Sequence, residues 1–313
     1  MVLPDPEKRL PMDDYPSPKA VLKAISDIAR RRARSDGVNA NAIIQLEYRN
    51  RLLARIFSHE EAPWVLKGGT STLIRLPDAR TTKDIDLLHE GGSLESAVEE
   101  LRDAAERDLG DYFRFTLRTV GPLVGGEERS SPNGAALSFE VTCGPTQLNR
   151  ISVDLVVSQN PLVGDVETRL PPSAPHMPRL PHSLYRLYPL DDHVADKACA
   201  MVELHVDQRP STRSKDLVDI VTFASTQSFH QRTLRRAITA EANFRGLSDR
   251  GFAERIPADQ WALQYATAAA RIPHCRRHPS VDDAVSLVRS FIDEALADHS
   301  KSRTWNPQKL SWD

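Results

Sequence analysis

Residues 84–87 read Asp-Ile-Asp-Leu, acidic and aliphatic in strict alternation. That period of two is the period of a β-strand, and it sets Asp84 and Asp86 on one face with Ile85 and Leu87 on the other. Like charges so placed repel each other and cost stability unless a cation sits between them. Such a strand suits a sheet with one face in an apolar core and the other turned to charge. An exposed edge strand would show the same alternation, and these four residues alone leave both readings open.

Two further stretches carry a similar tension. "LKGGTS", Leu66 to Ser71, is a short apolar run ending in Gly68-Gly69 before a helix expected at 70–76. Paired glycines let the backbone approach a ligand, and Thr70 and Ser71 stand where the free amides of a helix N-terminus attract phosphate. A plain tight turn accounts for the same glycines. In "NRISVDLVVS", Ile151, Val153, Leu155 and Val157 mark one face of a strand, and Asp154 lies on the other with Ser152 and Val156. A carboxylate embedded among aliphatics needs a base, a metal or a raised pKa, and Arg150 is a candidate base.

Around these stretches the chain reads as α+β. Helices are expected at 18–35 and 40–58, the second on the stripe Ile43, Ile44, Leu46, Leu52, Leu53 and Ile56. Strands are expected at 64–66, 84–88, 113–119, 135–143 and 150–157, with helices at 70–76 and 93–107. The glycine- and serine-rich run 121–134 reads as a flexible loop. Residues 171–189 hold six prolines, cannot be helical throughout, and read as the crossing between domains. Beyond them the pattern is all-helical: 191–207, 213–225, 229–245, 258–271 and 279–298. The expected division is an N-terminal tail with helices (1–60), a small mixed-sheet core (61–180) and a helical C-terminal domain (181–313).

Bulk properties narrow the setting. With 40% hydrophobic and 27% charged residues over 313 positions, the chain is expected to be soluble and folded. A net charge of −2 neither demands nor excludes a nucleic-acid partner, so any basic surface must be local. Arginine runs at 30–34, 235–236 and 271–278 could supply one. Cys143, Cys199 and Cys275 are scattered and form no CxxC, which suits a reducing compartment. There is no run of 18 apolar residues and no apolar signal-peptide core, so a cytoplasmic protein with no membrane partner is expected.

The three stretches say more together than apart. A glycine pair, then acidic-apolar-acidic-apolar on a strand, then one aspartate on a later strand resembles the DNA-polymerase-β-like nucleotidyltransferases. The matching residues are Leu66-Gly68-Gly69, Asp84-Ile85-Asp86-Leu87 and Val153-Asp154-Leu155. More narrowly, "LKGGTSTLIR…ARTTKDIDLL" resembles the AbiEii/MenT toxin family. Arg80, Thr82, Lys83, Asp84 and Asp86 fill its first motif, with Thr82 in place of the usual serine, a swap that keeps the hydroxyl. Lys197 followed by Arg213, Asp216, Leu217 and Asp219 fills the second.

That resemblance implies a polymerase-β-like core plus a C-terminal helical domain, with the site in the cleft between them. It implies that Asp84, Asp86 and Asp154 are catalytic and hold two Mg²⁺ ions, and that Gly68, Gly69, Thr70 and Ser71 hold the phosphates of an NTP. Arg80, Thr82, Lys83 and Asp216 would also serve nucleotide binding. Lys197 would bind the triphosphate, and Asp219 would hold that lysine or orient the acceptor. The implied activity is that of a toxin in a toxin–antitoxin or abortive phage-defence system. It would transfer a nucleoside monophosphate, often a pyrimidine, to the 3′ acceptor end of tRNA, blocking aminoacylation and growth. A cognate antitoxin is implied, with or without direct protein contact. A small-molecule, antibiotic-modifying nucleotidyltransferase and a non-enzymatic binding module are the alternatives. The first lacks the usual reason to carry both motifs. The second has no reason to keep three mutually repelling carboxylates.

Overall fold

The computed structural model describes residues 15–59, 61–125, 129–158, 161–204, 207–297 and 302–313. Helix α1 (Pro18–Asp36) starts where Ser17 caps the backbone N–H of Ala20 and Pro18 fits the first turn, and it stops at Gly37 in the left-handed region. Helix α2 (Ala40–Ile56) follows at once, capped by Asn39. Then come β1 (Trp64–Lys67), α3 (Gly68–Arg75), β2 (Ile85–Glu90), α4 (Leu94–Glu106), β3 (Phe113–Gly125), β4 (Arg129–Cys143), β5 (Thr146–Gln147), β6 (Ile151–Ser158), β7 (Glu167–Arg169) and β8 (Tyr185–Leu187). The strands form one mixed sheet in the order β3-β4-β6-β2-β1-β8-β7, with β5 paired to β4.

The alternation of β2 and β6 decides what each sheet face meets. Leu66, Ile85, Leu87, Val153 and Leu155 lie in one buried cluster with Val21, Ile25, Leu52, Leu53 and Leu101 from α1, α2 and α4. On a pleated strand the intervening residues, Asp86 and Asp154 among them, point the other way. Helices α5 (Leu190–Val202), α6 (Ser214–Thr226), α7 (Gln231–Arg245), α8 (Phe252–Arg255), α9 (Ala258–Ala269) and α10 (Val281–Val288) enclose a second core around Phe223, Phe252, Phe291 and Trp305.

The structure differs from the expectations in three places. The 121–134 run is mostly strand: β3 continues to Gly125 and β4 starts at Arg129, while 126–128 lie outside the described residues. The proline-rich segment supplies β8, which pairs in parallel with β1, and it buries Met177, Leu180, Tyr185 and Leu187 in the sheet's core. The passage to the helices therefore falls at Tyr188–Pro189, just before α5. Lastly, the C-terminal part is not purely helical. The helix expected over 279–298 is interrupted by a π-helical turn, Arg289–Asp293, before the short α11 (Glu294–Leu296). A two-stranded ribbon of β9 (Trp305–Asn306) and β10 (Ser311–Trp312) follows. Among the described residues no helix is long and apolar enough to cross a membrane.

Candidate active site

Strands β2 and β6 run parallel with Asp86 paired directly to Asp154, so the two carboxylates leave the same sheet face from strands about 4.8 Å apart. Asp84 lies just before β2 and is exposed. Burial, then Asp154, pushes the Asp86 carboxyl up to about 6, and Lys197 and Lys67 only partly offset this. Burial and then Asp84 likewise raise Asp154. Among the described residues no basic side chain pairs with Asp154; Arg150, the base expected to do so, acts on Glu140 instead.

Gly68 adjoins this pair in the left-handed region, at φ +61°, and a Cβ there would stand 1.9 Å from Asp86 Oδ2. Only glycine lets the start of α3 approach that carboxylate. Gly69 has a similar constraint from Thr82, whose Cβ would be 2.8 Å away. Gly68→Ala is expected to cost at least about 1 kcal/mol for the backbone alone. It should also displace Asp86 and lower transfer about a hundredfold, the scale of a 1 Å misplacement. Thermal melting and a transfer assay on the purified variant check both.

The helical side supplies a cluster of ion pairs. Lys197 on α5 is buried and its Nζ lies 2.7 Å from both Asp216 Oδ1 and Asp219 Oδ2 on α6. Those acids stand three residues apart and share a helix face. Arg80, in the loop between α3 and β2, donates Nη2 to Asp219 at 2.9 Å and thereby ties that loop to α6. Burial would depress the Lys197 ammonium, but Asp216 and Asp219 outweigh it and hold it raised. Burial would raise Asp219, yet Lys197 and Arg80 hold it below the usual range.

The remaining expected residues sit less directly. The Thr70 hydroxyl donates to the Asp84 carbonyl at 3.0 Å, and the buried Ser71 hydroxyl accepts from Arg75 Nη1 at 2.7 Å. Both side chains are thus engaged in holding α3. Lys83 is exposed; its carbonyl accepts from Arg49 Nη1 at 3.1 Å. Arg49 escaped the sequence reading; Lys67 was read within the KGG motif but with no role, and its ammonium sits 4.4 Å from the centre of the Tyr188 ring. Burial opposes that ammonium, but Asp196 on α5 outweighs it. Asp196 in turn pairs with Arg245 of α7 at 2.6 Å. A chain of charges therefore links the KGG strand to two helices.

As their side chains stand, no three or more His, Cys, Asp or Glu among the described residues are grouped to hold a metal ion. The donor chemistry nevertheless fits one. Asp84, Asp86 and Asp154 offer hard oxygen atoms, and the half-buried Asp86–Asp154 pair carries the mutual repulsion that a divalent cation relieves.

This polymerase-β-like sheet, with acidic strands facing a helical lobe, is the architecture of a nucleotidyltransferase. The family model described as nucleotidyl transferase AbiEii toxin, of type IV toxin–antitoxin systems, matches residues 51–287, and the chain belongs to that family. No curated protein matches it by sequence. Among solved structures it is similar to MenT4, a nucleotidyltransferase toxin from Mycobacterium tuberculosis H37Rv, at 16% identity and a TM-score of 0.50, over 86% of this chain and 99% of that one. JHP933 from Helicobacter pylori is similar at 12% identity and a TM-score of 0.44, over 80% of this chain and 93% of that one.

Proposed function

We propose that this toxin transfers a nucleoside monophosphate, with pyrimidines favoured, from an NTP to the 3′ acceptor end of tRNA in the cytoplasm, so blocking aminoacylation and growth. The observation that supports it best is the in-register Asp86–Asp154 pair, with Lys197 and Lys67 close enough to act on Asp86. Asp84, Asp86 and Asp154 would hold Mg²⁺, which when bound supplies charge neutralisation for phosphoryl transfer. The start of α3 lies against the triphosphate, close to Asp86 because Gly68 has no Cβ. Lys197 and Arg80 face the charge that grows on the departing pyrophosphate, an arrangement commonly worth about 3 kcal/mol. Asp216 and Asp219 fix that lysine, and Asp154, raised by burial, is suited to take the proton from the acceptor hydroxyl.

Incubation of the purified protein with each labelled NTP, total tRNA and Mg²⁺ tests this. The expected result is label on tRNA, strongest from CTP or UTP, removed by prior 3′-end oxidation and by chelation. Label on a small-molecule acceptor but none on tRNA would overturn the substrate assignment.

A further inference from the structure

A cavity of about 370 Å³ lies in the helical lobe, away from the carboxylates, between α6, the 3₁₀ turn Pro273–Cys275 and the turn joining β9 to β10. That volume lies within the range of ligand pockets. Its polar lining includes several hydrogen-bond donors. Arg276 and Arg277 are exposed, and among the described residues neither guanidinium has an acidic partner. The Ser225 hydroxyl is buried against the cavity with no hydrogen-bond partner. Gln308 adds an amide, and no carboxylate lines the space. His274 also lines the space; its Nε2 stands 3.1 Å from the neighbouring acid, Asp78, without hydrogen-bond geometry. Pro273, Pro307 and Leu310 form the apolar wall.

Two unpaired guanidiniums with a spare hydroxyl suit phosphate oxygens, and an apolar wall beside them suits a base. We propose that this cavity binds a nucleoside phosphate, with the phosphate on Arg276 and Arg277 and the base against Pro273, Pro307 and Leu310. The ligand is either a free nucleotide or one unit of an RNA strand. The RNA source rests on the transferase reading above, whereas the free-nucleotide source stands without it. Two elements connect the cavity to the candidate active site. Ser225 is on α6, which carries Asp216 and Asp219, and the His274–Asp78 pair reaches the loop that carries Arg80. An RNA strand whose end lies in the cleft could therefore rest a more distant nucleotide here.

Fluorescence anisotropy on the full chain tests this without any transfer step, so a protein inactive on tRNA still gives an answer. The probes are a labelled nucleoside monophosphate and a labelled single-stranded RNA. Arg276→Ala with Arg277→Ala is expected to weaken at least one of them tenfold or more with unchanged thermal melting. For RNA, the slope of log K against log salt should fall by about 1.4, the loss of two single-strand phosphate contacts. Ser225→Ala should weaken the same probe several-fold. Loss for RNA alone assigns the site to a strand, and loss for both assigns it to the nucleotide itself. Arg114→Ala with Arg232→Ala, which removes equal charge from exposed positions outside the cavity and outside the arginine runs, should keep the parent affinity. Equal losses in that control, or unchanged binding of both probes in the cavity variant, would overturn the site.

Discussion

Asp86→Asn is expected to abolish nucleotide transfer while leaving the metal-free protein at least as stable as the parent. Burial and Asp154 raise Asp86 from an ordinary 3.8 to about 6. The folded protein therefore holds this proton more tightly than the unfolded chain, and protonation favours the fold. Below pH 3.8 the group costs nothing; the cost grows as pH rises from 3.8 to about 6 and is complete above that. A gap of this size corresponds to about 3 kcal/mol at neutral pH. Asparagine removes the charge and with it the cost. In chelator at pH 8 the variant should melt a few degrees higher than the parent, and the difference should shrink toward pH 4. Transfer should fall by several orders of magnitude, because a site short of one carboxylate cannot position its cations. A variant that melts lower at pH 8 would mark Asp86 as a structural partner of Lys197 or Lys67 rather than a strained ligand.

How much of this could be read in the sequence follows the range of each interaction. The alternation of Asp84 to Leu87, the face of Asp154 and the glycine pair are local, and they pointed to residues that the fold brings together. The Asp86–Asp154 register is not local: it depends on a parallel pairing with α4, β3, β4 and β5 inserted between the partners. Spacing put Asp216 and Asp219 on one helical face, but α6 is buried nearly all round, so periodicity could not show that this face receives a lysine. Thr70 and Ser71 were read by their position at a helix start, and tertiary partners, the Asp84 carbonyl and Arg75, claimed their hydroxyls. Arg49, Asp196 and Arg245 gave no signal, since an isolated charge in a helix reads as solvated surface. Strand β8 stayed hidden because three residues among prolines are too few to show a period.

Lys197→Met should disable the enzyme and also weaken the fold, and the burial of the lysine requires both. A surface lysine reaching toward a triphosphate could be removed at little cost to stability. Lys197 is 6% exposed and stands between Asp216 and Asp219, themselves 6% and 3% exposed. Its removal leaves two buried carboxylates three residues apart, with Arg80 on Asp219 and the half-exposed Arg213, 3.4 Å from Asp216, as the remaining partners. Breaking a buried pair from one side typically costs about 3–5 kcal/mol, because the surviving charge keeps its desolvation penalty. The loss should be largest above the carboxylate range and recede in acid, where the stranded acids take up protons. Adding Asp216→Asn to Lys197→Met should restore much of the stability, since one stranded charge is gone, while transfer stays near background because the cation proposed to face the triphosphate is still missing. Chemical denaturation of the two variants beside the parent, with transfer assayed on the same samples, separates the two roles. If Lys197→Met unfolds at the parent's denaturant midpoint, the lysine–aspartate cluster contributes nothing to the fold. If the double variant regains transfer together with stability, the lysine acts only by holding α5 against α6.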